Sequence, residues 1–277
     1  MTQLASSEDF LQVRCGLSNR TLPEERRRQI LEILNRRGSI TVAELGEIFG
    51  ISPMTIRRDL DALERAGQLK RTHGGAILPS LAQHEDSFSH RLTRAVEAKE
   101  LLAEHAAAML KPGEAVFLDS STTAYYLARR IVQLGLALTI VTNSLPIMEL
   151  VAKSQVPRLE LISIGGSLRK LTLSFVGQRA VADIRSLYAD KVYFSVKGVT
   201  SGGDLTDPDP QEAEAKRAMI EQAREAVLLV DETKFEQYGL CIIGSITVVS
   251  QVLLADAGDD RAAALRGMGV QVRRIWR

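Results

Sequence analysis

A chain of 277 residues is long enough for about two domains, and its formal net charge of +1 excludes a protein that is strongly basic throughout. A composition of 45% hydrophobic and 25% charged residues is typical of globular proteins and excludes fibres, disordered polymers and disulfide scaffolds. No apolar run approaches the roughly 18 to 20 residues of a membrane span, and the amino terminus lacks the basic start and apolar stretch of a signal peptide.

Cysteine and histidine usage bears on the compartment and on metals. Cys15 and Cys241 lie far apart and belong to no CxxC pair, which is typical of a reduced intracellular protein. The four histidines show no spacing typical of metal ligands. We therefore expect a cytoplasmic protein with no metal, no cofactor and no membrane association.

Four segments follow one another along the chain. We expect a flexible arm over residues 1–22, a compact helical block with a basic, glycine-containing end over 23–78, and a linker over 79–95. From residue 96 to residue 277, helix-length stretches alternate with short β-branched runs, which predicts βαβ units and a largely parallel sheet covered on both faces. The predicted strands are AVFL, LTIVT, LELISIG, KVYFSV, AVLLV, QVLLA and VQVRRI.

Three short helices are predicted in the first block. The first carries an apolar face that includes Ile30 and Leu34 and ends at Gly38. Thr41 and Glu44 form a T-x-x-E capping box, which predicts the start of the second helix. The block holds ten basic residues against eight acidic ones, so the positions of the charges are more informative than their sum.

The third helix is expected to present its early, basic residues outward. Ser52 caps it, and Ile56, Leu60 and Leu63 form a stripe toward the other two helices. A recognition helix needs such an exposed N-terminal side, because these residues enter the major groove of DNA. The residues expected on that side or on its flanks are Met54, Thr55, Arg57, Arg58 and Arg65.

A basic hairpin is predicted after the third helix. QLKRTHGGAIL contains two short strand-like runs around Gly74 and Gly75, and its basic residues would lie beside the phosphate backbone. Three helices and a basic hairpin together predict a winged helix-turn-helix. Taken singly, the parts also fit solvated surface arginines or a trihelical protein-docking module.

ISPMTIRRDLDALERAGQLKRTHGGAIL resembles the DNA-binding signature of the DeoR family of bacterial transcription regulators. The matching positions are Ser52, Thr55, Arg57, Arg58, Asp59, Leu60, Gly67, Arg71, His73, Gly74, Gly75 and Ala76. The resemblance implies a regulator, expected to be a repressor, that binds a double-stranded DNA operator. One small winged domain offers little contact area, so a homo-oligomer, dimer or tetramer, is expected. The expected DNA-binding residues are Thr41, Ser52, Met54, Thr55, Arg57, Arg58, Lys70, Arg71 and His73.

A polar run, Asp119 to Thr123, follows the first predicted strand of the second block. An activated hydroxyl nucleophile, an anion-binding loop and a simple helix cap all fit this pattern. Nucleophilic catalysis is disfavoured because no histidine follows His105 and the G-x-S-x-G elbow is absent. We therefore assign no catalytic residue.

Polar loops recur after four further predicted strands and favour the anion site. Because the carboxyl ends of parallel strands line one crevice, these loops are expected to converge on one ligand. Lys197, Lys216 and Lys234 are the candidate cations, although each also fits a plain surface lysine. Glu212 is interpreted as the capping-box partner of Asp209. The loops are VTNS, GGSLRK, VKG and VDETKF.

The second block also resembles the DeoR family, through EAKE at Lys99 and through LDSSTT, VTNS, IGGSLR, FVGQRA, EAEAKRAM and LLVDETKF. The resemblance implies a Rossmann-like domain similar to ribose-5-phosphate isomerase that binds a phosphorylated sugar or related metabolite. The chain departs from many relatives at Ser121, Thr233 and Lys197, which blurs the identity of the ligand. The expected effector-binding residues are Lys99, Asp119, Ser120, Ser121, Thr122, Thr123, Thr142, Asn143, Ser144, Gly165, Gly166, Lys197, Gly198, Lys216, Asp231 and Lys234.

An enzyme is the alternative from another functional class. In a sugar-phosphate isomerase fused to a DNA-binding module, Asp119, Glu212 and Lys197 would act on the open-chain sugar. The sequence shows no pair of acidic residues in one loop like the pair that isomerases use. A nucleoid protein without an effector is a third interpretation.

Overall fold

The computed structural model describes residues 22–276 except 38, 67, 72–73, 78–84 and 236. The chain divides into two compact units, Met1–His84 and Glu85–Arg277. Within the described residues, the first unit contains three helices and a small antiparallel sheet in the order β1-β3-β2. Its elements are α1 (Pro23–Arg37), β1 (Ser39–Thr41), α2 (Val42–Phe49), α3 (Pro53–Arg65), β2 (Lys70–Arg71) and β3 (Gly75–Ile77).

Both predicted helix caps of the first unit are confirmed. The Thr41 hydroxyl accepts the Glu44 amide N–H, and the Glu44 carboxylate accepts the Thr41 amide N–H, which completes the capping box. Ser52 accepts the Thr55 amide N–H and precedes Pro53, the first residue of α3. The predicted hairpin is β2–β3, and strand β1, which the sequence did not predict, pairs with β3.

The second unit is built on a seven-stranded parallel sheet in the order β15-β14-β12-β9-β4-β5-β6. All seven predicted strands lie in this sheet, so the predicted α/β class is confirmed. The strands are β4 (Ala115–Leu118), β5 (Thr139–Thr142), β6 (Glu160–Ser163), β9 (Ala189–Phe194), β12 (Ala223–Asp231), β14 (Gln251–Ala255) and β15 (Gln271–Ile275).

Smaller elements of the second unit were not predicted, because they are short and show no clear alternation. A hairpin consists of β7 (Ser167–Arg169) and β8 (Ser174–Val176), and an antiparallel sheet in the order β10-β11-β13 consists of β10 (Gly198–Val199), β11 (Asp204–Asp207) and β13 (Cys241–Ser245). The helices are α4 (Phe88–Leu92), α5 (Val96–Ala107), α6 (Thr122–Leu134), α7 (Leu145–Ala152), α8 (Gln178–Arg185), α9 (Pro210–Glu221) and α10 (Asp259–Gly267).

Each face of the large sheet buries its own apolar layer. Alternate strand residues such as Phe117 and Phe194 pack with α8, α9 and α10 on one face. Their neighbours in the strands, such as Leu118 and Tyr193, pack with α5, α6 and α7 on the other. Burial of about 25 cal/mol per Å² of apolar surface on both faces is the main stabilising contribution of this arrangement.

The predicted linker over residues 79–95 differs from the structure in its second half. From Glu85 onward these residues belong to the second unit. Phe88 is buried, its ring meets the Tyr125 ring edge-on at 5.7 Å, and its amide N–H donates to the Leu171 carbonyl at 2.9 Å. The five-residue helix α4 is too short for a hydrophobic period to reveal it.

The order of the strands fixes where a ligand can bind. From β4 the chain adds β5 and β6 on one side, then returns to place β9, β12, β14 and β15 on the other. The switch in direction therefore lies between β4 and β9. Ligands of open α/β sheets bind in the crevice outside the carboxyl ends of the strands at such a point.

Candidate functional site

Helix α3 exposes the basic side that the sequence predicts. Ile56 and Leu60 are fully buried in the core of the first unit. Met54 is 57% exposed, and Arg57 and Arg58 are exposed beside it. The first turns of α3 therefore present two guanidinium groups and a flexible apolar side chain to a partner, as a recognition helix requires.

Asp59, which follows the two arginines, has an internal role that the sequence analysis did not detect. Its carboxylate is buried and accepts from Arg26 Nε at 2.6 Å and from Arg27 Nε at 3.0 Å. These ion pairs join α3 to α1. An aspartate between two outward-pointing arginines and an apolar stripe was the signal that could have revealed it, because that position faces the neighbouring helix.

One of the three predicted wing residues, Arg71, is held by contacts with α3. The Arg71 guanidinium forms an ion pair with Asp61, and its amide N–H donates to Glu64 at 2.8 Å. Lys70 lies on β2, and His73 lies outside the described residues. Arg71 therefore anchors the hairpin to α3, and its predicted contact with DNA phosphate stays a prediction.

Close packing of two strands accounts for Gly75, one of the two adjacent glycines in this hairpin. A Cβ atom at Gly75 would lie 2.1 Å from the carbonyl oxygen of Ile40, because β1 and β3 approach closely there. A residue with a side chain would therefore displace one of the two strands.

A cavity of about 400 Å³ lies at the switch point of the large sheet. The loops that follow β4, β9 and β12 form its floor, and residues from α4, α5, α9 and the β7–β8 hairpin form its walls. The predicted effector-binding residues that line it are Lys99, Ser120, Ser121, Thr122, Thr123, Lys197, Lys216, Asp231 and Lys234.

The N-terminus of α6 opens into this cavity. Ser121 is the N-cap, and its hydroxyl accepts the Ala124 amide N–H at 3.1 Å. The first amide groups of a helix have no acceptor within the helix, so those of Thr122 and Thr123 can bind a ligand. The helix dipole adds a partial positive charge at the same place, which favours an anion.

Asp119 does not line the cavity but holds its floor in place. One carboxylate oxygen accepts the Ser121 amide N–H at 3.0 Å, and the other accepts the Ser195 amide N–H at 3.2 Å and Lys216 Nζ at 2.5 Å. Asp119 therefore connects the loops after β4 and β9 with α9. Its predicted role in direct effector binding is not supported by its position.

Lys216 is engaged by the protein itself. Besides Asp119, its Nζ donates to the Ser195 carbonyl at 3.0 Å and lies 3.7 Å from Asp207. Burial acts to lower the pKa of Lys216, but Asp119 and Asp207 outweigh it and raise that pKa. For the Asp207 carboxyl, burial acts in the other direction and raises the pKa to about 6, although Lys216 opposes this shift. Lys216 is thus a buried counter-ion in the cavity wall, and its predicted role as a phosphate-binding cation stays a prediction.

The predicted capping role of Glu212 is wrong. Asp209 caps α9 by accepting the amide N–H groups of Gln211 and Glu212. The Glu212 carboxylate instead accepts the hydroxyl of Ser120 at 2.9 Å and the hydroxyl of Ser174. Because it lies in the cavity wall, it offers a hydrogen-bond acceptor to a ligand hydroxyl.

Three lysines and two arginines line the cavity together with the carboxylates of Glu85, Asp86 and Asp231. Burial lowers the pKa of Lys99 to about 8, and Lys234, Arg91 and Arg94 add to the shift while Asp231 opposes it. Burial also lowers the pKa of Lys197 and of Lys234, and nearby cations reinforce both shifts. An anion bound among these groups would relieve their mutual repulsion.

The loops after β5 and β6 do not reach the cavity, contrary to prediction. Thr142 donates to the Leu118 carbonyl at 2.7 Å, and Asn143 donates to the Phe175 carbonyl at 3.0 Å, so these side chains fasten neighbouring elements. The physical reason is the strand order, which places β5 and β6 on the far side of β4 from the switch point. The predicted residues outside the cavity lining are Asp119, Thr142, Asn143, Ser144, Gly165, Gly166 and Gly198.

Two of these glycines serve close packing. A Cβ atom at Gly198 would lie 1.5 Å from the carbonyl oxygen of Gln237. Gly166 has a φ of 134°, and a Cβ atom there would lie 2.7 Å from the carbonyl oxygen of Val176. Both positions therefore require glycine for reasons unrelated to a ligand.

Several cavity residues lie in the segment that was predicted to be a linker, and they were not predicted to bind a ligand. Ser87 caps α4 by accepting the His90 amide N–H at 3.2 Å, and this serine before a short basic stretch was the signal available. The cavity residues that were not among the predicted effector-binding set are Glu85, Asp86, Arg91, Arg94, Ala95, Thr172, Ser195, Val196, Asp207, Pro208, Glu212, Thr233 and Gln237.

The geometry disfavours the isomerase interpretation. Asp119 is neutralised by Lys216, and Glu212 already accepts two serine hydroxyls. Burial acts to raise the pKa of Glu212, but Lys216 and the hydroxyl groups outweigh it and lower that pKa, which makes this carboxylate a weaker general base. Among the described residues, no group of three His, Cys, Asp or Glu side chains is arranged to hold a metal ion, and no helix is long and apolar enough to cross a membrane.

Two family models match the chain. Residues 26–81 match the DeoR-like helix-turn-helix domain, and residues 94–255 match the DeoR C terminal sensor domain. Among solved structures, ribose 5-phosphate isomerase A of Methanocaldococcus jannaschii covers 50% of this chain and 54% of its own, with 18% identity and a TM-score of 0.37. Translation initiation factor eIF-2B of Pyrococcus horikoshii covers 89% and 85%, with 13% identity and a TM-score of 0.38. Likeness at this level carries no inference about ligand or activity.

Curated relatives match over nearly the whole chain. The HTH-type transcriptional regulator YulB of Bacillus subtilis is 35% identical over 92% of this chain and 97% of its own. The lactose phosphotransferase system repressor of Streptococcus mutans is 32% identical over 86% and 93%. GolR of Listeria innocua, another HTH-type transcriptional regulator, is 33% identical over 83% and 88%. These relatives are named as regulators and repressors rather than as enzymes, and the chain belongs to the DeoR family of bacterial transcriptional regulators.

Proposed function

We propose that this protein is a repressor of carbohydrate-metabolism genes whose DNA binding is controlled by a phosphorylated sugar in the cavity of the second unit. The observation that carries the proposal is that one cavity brings together groups of two chemistries. Lys99, Lys197, Lys234 and the N-terminus of α6 line it, and these groups suit a phosphate group.

The same cavity also holds groups that suit a polyhydroxylated chain. Glu212 and Asp207 offer carboxylate oxygens, and Thr172 offers a hydroxyl. Sugar hydroxyls donate to carboxylates and accept from hydroxyls, so the wall matches the polar body of a sugar. Relatives named as lactose phosphotransferase system repressors favour the same class of effector.

On the DNA side we propose that Met54, Thr55, Arg57 and Arg58 contact base edges and phosphates. Thr41, Ser52, Lys70, Arg71 and His73 would lie near the DNA backbone, as the family signature implies. A homo-oligomer in the cytoplasm, dimer or tetramer, would read repeated half-sites, because a single winged domain buries little surface on DNA.

A thermal-shift comparison of sugars with and without phosphate tests the effector proposal. A ligand that binds only the folded protein stabilises it by RT ln(1 + [L]/Kd), so a phosphorylated sugar should raise the melting temperature and its unphosphorylated counterpart should not. Ribose, glucose and their 5- and 6-phosphates form suitable pairs. Equal shifts within each pair, or no shift with any phosphate, would contradict the proposal.

A lysine variant locates the effect in the cavity. Lys234→Met should reduce the shift given by the phosphorylated sugar, because it removes a cation from the cavity. Lys153→Met is the matched control, since Lys153 is exposed at the end of α7 beside Glu149 and lies outside the cavity lining. If both variants lose the shift equally, the ligand binds elsewhere.

A further inference from the structure

The second unit begins with a segment that is part of the cavity wall. We define the connecting segment as Glu85–Arg94, which contains α4. Seven residues of sequence separate it from Ile77, the last described residue of the DNA-binding unit. Phe88 anchors its middle in the core, and Glu85 forms an ion pair with Arg169 of β7. The segment is therefore both the first part of the sensor unit and a lining of its cavity.

Arg91 in this segment has hydrogen-bonding capacity that the described protein does not use. Its Nε and Nη2 atoms are buried and have no hydrogen-bond partner within the described part of the chain. Buried charged donors without an acceptor cost free energy. Arg91 also lines the cavity, so its positive charge lies where it would attract an anionic ligand.

Cations face Arg91 from the sheet side of the cavity. Lys234 follows β12, and Lys197 follows β9. The positive charge of Arg91 acts unfavourably on both lysines, while Asp86 of the connecting segment attracts Lys197 and Asp231 attracts Lys234. An anion between Arg91 and Lys234 would be attracted by both cations and would offset the repulsion between them.

Lys99 links the same cavity to the backbone of the segment. Its Nζ donates to the carbonyl oxygens of Arg91 and Arg94, the latter at 2.5 Å. An anion that binds Lys99 therefore acts on a group that already holds the end of α4. Ligand contacts with Lys99 and with Arg91 would therefore both restrain the backbone between Arg91 and Arg94.

We propose that the anionic group of the effector bridges Arg91 to Lys234 and thereby fixes the connecting segment, which makes this segment the element that transmits occupancy of the cavity to the DNA-binding unit. The inference rests on the proposed function, since it takes the effector to be an anion in this cavity. It adds a ligand-binding residue, and a route of coupling, from a part of the chain that the sequence assigned to a linker.

Hydrogen exchange of the full-length protein with inorganic phosphate as probe tests the proposal. Phosphate should slow amide exchange both at Ser120–Thr123 and in the connecting segment. Protection at Ser120–Thr123 alone would overturn the inference and leave the proposed function standing. No protection at either place would overturn both, so the two failures are distinguishable.

Variants of Arg91 sharpen the result. Arg91→Met should weaken phosphate binding about tenfold to a hundredfold, the range for a lost charge-assisted hydrogen bond, and should abolish protection of the connecting segment. Arg91→Lys, which keeps the charge but loses the planar fork, should fall between the two proteins. If Arg91→Met does not fold, the exchange pattern of the wild type decides alone.

Arg130→Met is the matched control. Arg130 lies on α6 outside the cavity lining. Its Nε atom is also buried and has no hydrogen-bond partner among the described residues, and its Nη2 atom lies 3.7 Å from Glu104 Oε1. This variant should keep the phosphate affinity and the protection pattern of the wild type. Equal losses in Arg91→Met and Arg130→Met, or a wild-type pattern in Arg91→Met, would overturn the role of Arg91.

Discussion

Lys99, Lys197 and Lys234 lie around one cavity, and burial lowers the pKa of each. The pKa of Lys99 falls from 10.5 to about 8. The neighbouring charges are Lys234, Arg91 and Arg94, which lower that pKa further, and Asp231, which raises it. A site of this kind binds an anion most strongly when its lysines are protonated.

The pH dependence of anion affinity follows from this shift. A bound phosphate raises the pKa of Lys99, so above pH 8 binding must take up a proton and the affinity should fall as pH rises through about 8. Below that pH Lys99 is already charged, and the affinity for a sugar phosphate should fall on the acid side only below about pH 6, where the phosphate monoester takes up a proton. Titration calorimetry between these limits and up to pH 9.5 measures the profile. An affinity that stays level or rises above pH 8 would contradict the assignment.

Asp59 is the residue on which the assembly of the first unit depends. Asp59→Asn removes the carboxylate that the buried Arg26 and the half-buried Arg27 share, and breaking a buried ion pair in this way costs about 3 to 5 kcal/mol. Asp61→Asn is the control, because the Asp61 side chain is 44% exposed and its pair with Arg71 is worth at most about 1 kcal/mol. Urea unfolding of the full chain, followed in the transition of the first unit, should separate the two variants. Equal losses of stability would argue against the buried pair.

At the scale of elements, α6 couples the fold to the candidate site, because its cap and its free amide groups lie at the cavity. Ser121→Ala and Ser121→Gly both lose the hydrogen bond to Asp119, and beyond that shared loss the alanine should lower stability by about 1 kcal/mol and the glycine by only a few tenths. Denaturant unfolding of both variants measures the difference. A glycine that costs more than alanine would show that Ser121 does not act as a simple cap.

The strands of the large sheet were predictable because each is a compact, buried, β-branched run such as QVLLA at Gln251–Ala255. The two-residue strand Gly198–Val199 carries no such pattern, and neither does α4. Strand order is also invisible in a single sequence, because it depends on which side of the sheet each crossover returns to. For that reason Thr142–Ser144 and Gly165–Gly166 were expected at the same crevice but lie outside the cavity lining, whereas Ser120–Thr123 and Lys234 line it.

At the scale of the whole molecule, the chain joins a DNA-binding unit to a sensor unit, and regulation requires that a ligand bind two arrangements of the protein with different affinity. Such coupling is typically about 1 to 3 kcal/mol, which corresponds to a change of roughly 5-fold to 150-fold in DNA affinity. The ligand contacts proposed for Arg91, Lys99 and Lys234 lie at the start of the sensor unit and at its cavity. Contacts of this type are strong enough for a coupling of this size, because each is a charge-assisted hydrogen bond.

The measurement that tests this account most directly is the affinity of the full-length protein for a DNA fragment that it selects from a random pool, with and without a sugar phosphate. Fluorescence anisotropy at fixed salt gives both dissociation constants. We predict that a phosphorylated sugar which stabilises the protein changes the dissociation constant at least about 5-fold, and that its unphosphorylated counterpart does not. Identical dissociation constants at saturating sugar phosphate would contradict the account.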